Sequence, residues 1–332
     1  MTNRSPYTGK PMELKKEKVT LNFRKEPFEM VHHSYLCADS GEEFEDDELT
    51  NINLRQVIDQ YREKHNIPFP EQIKSIREGY GLSAAKMSDI LGLGTNSWRL
   101  YENGEVPTIA NARLIQLISD PANFLKHVTE FGTCEAKEIE RIKHHIDALM
   151  RKLGKNRGRE ELFSVPMPNK VTGYSVFSKP KVEQVVSFFA EKMSPYKTAL
   201  NKLLFYADFL HFKQTGRSIT GLRYAAIDLG PVPDHYSSLY EMMTDEGIVA
   251  ISGTMTEFGY TERFMLGPDR NTDLSVFSEK EITTLGKVYE QLKGKTTAEI
   301  VDLSHQEEAW LEYRATQSLI PYQSAYYIKA VE

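Results

Sequence analysis

The sequence predicts a multidomain, mainly α protein with a small β-rich segment at its N-terminus. Three observations predict it. The chain has 332 residues, more than one small core accommodates, so two or three domains are expected. Val19-Thr20-Leu21-Asn22-Phe23 alternates at the period of a strand, whereas apolar residues recur at helical spacing in most segments beyond residue 50. Residues 83–107 form two short helical patterns around Gly92-Leu93-Gly94, which is a helix-turn-helix arrangement.

Composition narrows the function classes. The formal net charge of -6 argues against strong non-specific nucleic-acid binding by the whole chain, because phosphate contact needs a basic face. A local patch is still compatible with it. Two cysteines, Cys37 and Cys134, give no disulfide framework and fit a reducing compartment. There is no apolar signal core and no run of transmembrane length, so a cytoplasmic protein without a membrane partner is expected.

Residues 1–50 open with Ser5-Pro6-Tyr7-Thr8-Gly9-Lys10, matched by Tyr35-Leu36-Cys37-Ala38-Asp39-Ser40-Gly41-Glu42. Each has the shape of a zinc knuckle, two positions three apart followed by glycine. A structural zinc would need thiolates at 5, 8, 37 and 40, and only Cys37 is a cysteine. Neutral hydroxyls do not replace thiolates, so no metal and no cofactor are expected. A small core from Leu21, Phe23, Phe28 and Leu36 would take over. A small β-domain with ordinary turns is the plainer reading of the same residues. His32 and His33, adjacent on a strand, point to opposite faces and are expected to be exposed.

Residues 51–68 form a linker helix with Leu54, Val57, Ile58 and Tyr61 on one face, stopped by Pro68 and Pro70. Residues 69–131 hold five helices. Ser83 caps the second of them, Thr95 or Asn96 the third, Thr108 the fourth, and Asp120 or Asn123 the last. The second helix of the central pair would enter a DNA major groove. Its reading face is Thr95, Asn96, Ser97 and Arg99; asparagine can contact adenine and arginine guanine bidentately. Lys74, Arg77 and Lys86 would lie over phosphates. Trp98 and Tyr101 belong to the core of the pair. The competing reading is a helix pair used only for packing or dimerisation.

Residues 132–181 combine a helix striped with Ile139, Ile142, Ile146, Leu149 and Leu153 and a linker. The basic cluster Arg151, Lys152, Lys155, Arg157 and Arg159 fits a solvated connection better than a phosphate-binding arm. In residues 182–332 the most apolar helix is 200–214, where Leu203, Leu204, Phe205, Ala207, Leu210 and Phe212 wrap most of the circumference; this is the centre of a core. Tyr224 to Asp228 is strand-like, Gly230-Pro231-Val232-Pro233 a turn, and Asp234 the cap of the next helix. Two short strands follow near 248–252 and 261–266, and Ser278 to Glu281 is a capping box. Asp208, His211, His235, His305 and Glu308 fall on separate helices with no short metal spacing, and no phosphate loop or serine elbow is present. No catalytic residue is assigned, and an enzyme is not expected. Exposed tyrosines anchor interfaces, which makes Tyr196, Tyr206, Tyr236, Tyr240 and Tyr260 candidates for a protein contact, with core packing the alternative for at least half of them.

Two resemblances rest on these residues. The knuckle pair, the linker helix and Leu91-Gly92-Leu93-Gly94-Thr95-Asn96-Ser97-Trp98-Arg99-Leu100-Tyr101-Glu102-Asn103-Gly104 resemble the MqsA antitoxin family over residues 1–130. That resemblance implies a degenerate zinc-ribbon-like domain, a homodimer formed through the helix-turn-helix domain, and an operator palindrome. The family's recognition asparagine is matched by Asn96. Its arginine four residues on is Leu100 here, and Arg99 stands one step, about 100°, around the helix. Residues 182–332 resemble the SocA-like Panacea domain through Asn201-Lys202-Leu203-Leu204-Phe205-Tyr206-Ala207-Asp208, Leu229-Gly230-Pro231-Val232-Pro233 and Leu303-Ser304-His305 with Trp310. The match covers about residues 182–315 and implies a mostly helical α+β domain that binds and neutralises a cognate protein toxin; from the tyrosine rule above, Tyr206, Tyr236, Tyr240 and Tyr196 are its expected contacts. A helix-turn-helix regulator with a C-terminal sensing domain and no toxin is the alternative.

Overall fold

The computed structural model describes residues 4–131, 134–156, 160–256 and 259–332. It is mainly helical. In chain order the elements are β1 (Glu13–Phe23), β2 (Glu26–Leu36), β3 (Glu43–Phe44), α1 (Asp47–His65), α2 (Pro70–Gly79), α3 (Ala84–Ile90), α4 (Ser97–Glu102), α5 (Ile109–Ile118), α6 (Pro121–Glu130) and α7 (Ala136–Asn156). They continue with α8 (Lys179–Met193), α9 (Lys197–Thr215), β4 (Tyr224–Ile227), β5 (Gly230–Pro233), α10 (Tyr236–Asp245), β6 (Val249–Thr256), β7 (Gly259–Leu266), α11 (Glu279–Leu292), α12 (Thr297–His305) and α13 (Glu308–Leu311). The chain divides into two compact units, residues 1–57 with 162–332, and residues 58–161. The five-segment division expected from sequence is thus drawn differently: residues 1–50 share a unit with the C-terminal half. Arg157 and Arg159 of the basic cluster lie outside the described residues.

In the first unit β1 and β2 form an antiparallel hairpin in which Glu13 faces Leu36 and Phe23 faces Glu26. Its two turn residues, Arg24 and Lys25, have φ of 49° and 68°. Positive φ at both positions is the turn whose twist suits paired strands. The small core differs from the expected one. Phe28 is buried, with Met30 and Val31, but Leu21 is exposed and Phe23 and Leu36 are half-buried. The reason is that α1 covers β2 rather than β1. Gln56 Oε1 accepts from Val31 N at 2.9 Å and Nε2 donates to Val31 O at 2.8 Å. Asn53 does the same for His33 N and O, both at 2.9 Å. Two amides three apart on a helix thereby satisfy two alternate residues along the strand edge, which an open edge would leave unpaired.

His33, expected to be exposed, is buried edge-on against Tyr326, ring centroids 4.7 Å apart. Lys16 Nζ donates to Tyr326 O at 2.5 Å and fixes the same approach. Burial and the Lys16 charge push the His33 pKa down to about 4. At the knuckles, Thr8 Oγ1 stands 3.4 Å from Cys37 Sγ. Hydroxyls of Ser40, Thr8 and Ser5 stabilise the thiolate and pull Cys37 down to about 6. Among the described residues no group of three or more His, Cys, Asp and Glu side chains could hold a metal ion.

The rest of this unit is built on α9. Every residue from Ala199 to Phe212 is buried, and the helix ends at Gly216, whose φ of 73° and N–H to Phe212 O make a left-handed stop. α8, α11, α12, β5 and β7 pack around it. Phe205 and Phe209 meet Tyr224 edge-on at 5.7 Å, and Phe209 stacks on Tyr322 at 4.4 Å. Residues 230–233, expected to be a turn, form β5 opposite β4, with Pro231 facing Ala226 and Pro233 facing Tyr224. Prolines at alternate positions leave every second residue able to bond across the ladder. Asp234 is not a helix cap: the N-cap of α10 is His235 at φ 57°, and Asp234 pairs with Arg223 at 2.9 Å. β6 and β7 form a hairpin longer than the two strands expected.

The second unit has one core of Ile73, Tyr80, Met87, Ile90, Trp98, Ile115, Ile118, Phe124, Val128, Ile142 and Ile146. Tyr80 lies flat on Phe124 at 4.1 Å and its hydroxyl donates to Ile118 O at 2.7 Å. The buried Arg62 guanidinium donates to the carbonyls of Pro68, Gly104 and Glu105 at 2.5, 3.2 and 3.0 Å.

Candidate functional site

The α3–α4 pair is assembled from short-range signals. Ser83 Oγ accepts from Lys86 N and starts α3. Ser88, buried on α3, accepts the Trp98 amide at 3.1 Å and so receives the first turn of α4. Thr108 and Asp120 cap α5 and α6 by accepting from Asn111 N and Ala122 N. Asn96 holds the N-cap position of α4 without a side-chain cap bond; its Oδ1 accepts instead from Arg99 Nη2 at 3.2 Å. Thr95, Asn96 and Arg99 are exposed and Ser97 is half-buried, so these four expected reading residues share the start of one helix and its approach. Leu100 is exposed beside them.

The expected phosphate contacts separate. Lys74 is exposed and its nearest carboxylate, Glu78, is 3.9 Å away. Lys86 is tied to Glu138 at 3.0 Å and lies 3.6 Å from Asp89. Arg77 is a correction. Its Nε and Nη2 donate to the two oxygens of Glu102 at 2.5 and 3.1 Å, and Nη1 donates to Leu82 O at 3.0 Å. Glu102 Oε1 also accepts from Trp98 Nε1 at 2.8 Å. The guanidinium is a mostly buried brace between α2 and α4, with no donor set left to clasp a backbone phosphate.

The tyrosines proposed for a protein contact also separate. Tyr206 and Tyr240 are corrections, because both are core residues. Tyr206 OH donates to the buried Glu307 at 3.3 Å and Tyr240 OH to Asn201 Oδ1 at 2.7 Å. Burial pushes both phenols far above their ordinary range. Tyr236 is half-buried beside Tyr240. Tyr196 is 36% exposed, with the Arg263 guanidinium 5.6 Å from its ring. Tyr260 is 65% exposed and sits opposite Met255, itself 75% exposed, on the β6–β7 ribbon.

The interior of α9 holds polar groups that helical spacing does not separate from its apolar ones. Asp208 accepts from Ile219 N, Thr220 N and Tyr224 OH at 2.8, 2.9 and 2.8 Å, and from the Thr220 hydroxyl. Burial raises its carboxyl to about 6 despite these donors. Glu307 is bonded by Lys329 N, Ala330 N and Tyr206 OH. Lys202 is different: its side chain is 0% exposed, and Nζ has no hydrogen-bond partner among the described residues.

Residues 200–311 match the family model described as antitoxin SocA-like, Panacea domain. The match covers about a third of the chain. No curated protein matches the chain. The matched region takes in most of α9, the β4–β5 and β6–β7 hairpins and α10 to α13, so Asp208, Lys202, Tyr206 and Glu307 all lie inside it. No helix among the described residues is long and apolar enough to cross a membrane.

Proposed function

We propose that this chain is the antitoxin of a toxin–antitoxin pair, which binds its cognate protein toxin through the Panacea region and represses its own operon through the α3–α4 pair acting as a helix-turn-helix. The match of residues 200–311 to an antitoxin-like domain carries the reading. The buried state of Tyr206 and Tyr240 moves the toxin contact to the exposed aromatic residues Tyr196 and Tyr260 beside Met255, with Tyr236 at half burial. On the DNA side, Thr95, Asn96, Ser97 and Arg99 supply base contacts and Lys74 and Lys86 phosphate contacts, with Arg77 holding α4 in place. The resemblance of residues 1–130 to the MqsA family supports a homodimer through the helix-turn-helix domain. The knuckle frame of residues 1–50 uses hydroxyls around Cys37 where zinc thiolates would stand.

Co-expression with the product of the adjacent gene tests this. The expected result is that the neighbour arrests growth alone, and that this chain restores growth and co-purifies with it. A harmless neighbour that forms no complex leaves a helix-turn-helix regulator as the reading to pursue through operator binding.

A further inference from the structure

Lys202 poses a physical problem that packing alone does not resolve. A buried ammonium without a partner costs far more than an apolar side chain of its size. Burial accordingly lowers its pKa from 10.5 to about 7. Asp208 and Glu307, in the same core, each have several donors. Lys202 has no acceptor, although methionine would fill the space.

The surroundings of Nζ converge from three elements. His305, at the end of α12, carries a second buried nitrogen without a partner, Nε2. Its ring is held flat on Trp310 at 4.1 Å and it bonds the Asp228 backbone. The Lys202 charge is felt at His305 and lowers its pKa, as does burial. Ser304 Oγ closes the same side, its proton donated to Val301 O at 2.8 Å. The third wall is Gly230. A Cβ there would lie 2.5 Å from Ser304 Oγ, 2.7 Å from Lys202 Cε and 3.0 Å from Nζ. The amine is therefore roofed by the one residue type without a side chain. The next residue outward, Leu229, is 58% exposed. Of the charged neighbours, Asp228 turns its carboxylate to Gln317 Nε2 at 3.0 Å, Arg314 lies over Trp310, and Asp302 is exposed.

We propose that Lys202 Nζ and His305 Nε2, both protonated once the site is filled, form a receiving niche for one carboxylate, reached by displacement of the turn at residues 228–230. The carboxylate supplies the acceptor that Lys202 lacks, and the amine and the His305 ring each take a proton from solvent as it binds. That the carboxylate is carried by a partner protein rests on the antitoxin reading; the niche itself does not.

The test follows Lys202 Cε by NMR in the full chain labelled at lysine Cε, with Lys202→Met assigning the signal. Spectra are recorded against pH for the chain alone, with sodium acetate, with sodium chloride at equal ionic strength, and in complex with the adjacent gene product. For the chain alone the amine titrates near neutrality. With a carboxylate bound its pKa passes about 9, so at pH 8 the charged fraction rises from about one tenth to about nine tenths. A shift with acetate but not chloride assigns the niche to small free acids. A shift only in the complex assigns it to the partner, and Lys202→Met then weakens the complex at least about tenfold with its melting temperature unchanged or raised. No shift with acetate or partner, or an equal shift in chloride, overturns the proposal. A neighbour that does not bind removes the antitoxin reading, and the acetate arm alone then decides the niche.

Discussion

Helices α4 and α9 handle polar side chains in opposite ways. On α4 every inward polar group is matched locally: Glu102 takes Arg77 and Trp98, and Ser88 takes the Trp98 amide. Thr95 and the Asn96–Arg99 pair face water, where an incompletely bonded polar group costs little. On α9 there is no outward face over the buried stretch, so a polar group is either fully bonded, as Asp208 is, or left expensive, as Lys202 is. The difference teaches where to look for function. On a surface helix, exposed side chains are the candidates. In a helix buried all round, it is the one group whose partners are missing.

The chain has two tryptophans, Trp98 in the unit of residues 58–161 and Trp310 in the other. Fluorescence on a Trp310→Phe or a Trp98→Phe background therefore follows each unit separately during urea unfolding. The largest effect should come from Asp208→Ala, which strips an acceptor from buried donors on Ile219, Thr220 and Tyr224 and lowers the stability of the Trp310 unit by about 3–5 kcal/mol. Glu102→Ala should lower the Trp98 unit by about 2–3 kcal/mol by leaving Arg77 without its carboxylate. A small loss at either site would erase the contrast between a fully bonded core and a locally braced helix.

Lys202→Met should move the other way. The folded pKa of Lys202 lies below its unfolded value, so its contribution is fully present above pH 10.5 and lost as pH falls through about 7. The substitution should therefore stabilise the Trp310 unit at pH 7, by on the order of 2 kcal/mol, and flatten its stability between pH 7 and 10.5. A destabilised Lys202→Met would mean that the amine is bonded after all. Asn53→Ala, which removes both bonds to His33, should cost about 1–2 kcal/mol in the same unit. Arg99→Ala should leave both unfolding curves within about 0.5 kcal/mol of the parent. It should weaken operator binding by about 1–3 kcal/mol, measured by electrophoretic shift at fixed salt.

Much of this was legible in the sequence. Periodicity located α2 to α7 and the largely apolar α9, and cap chemistry placed Ser83, Thr108 and Ser278 at helix starts and gave Asp120 as one of two candidates for another. What escaped depends on residues far apart in the chain. Arg77 looks like any exposed helix arginine until Glu102, 25 residues on, folds back to it. Tyr206 and Tyr240 carry no sign of burial in their own spacing, because α9 is covered on all sides and the partners of both hydroxyls, Glu307 and Asn201, lie elsewhere in the sequence. His33 was misplaced because the residue that covers it is Tyr326. The Lys202 niche had a trace in the sequence, a lysine inside an otherwise apolar helix, but the missing acceptor could be seen only in three dimensions.

The bond between Lys16 and Tyr326 closes a span of 310 residues. At about 5–20 residues per second, the ribosome takes roughly 15–60 s to deliver the second partner after the first. Throughout that interval the hairpin that opens the chain carries a bare face at His33. A chain released short of Tyr326 would keep that face bare.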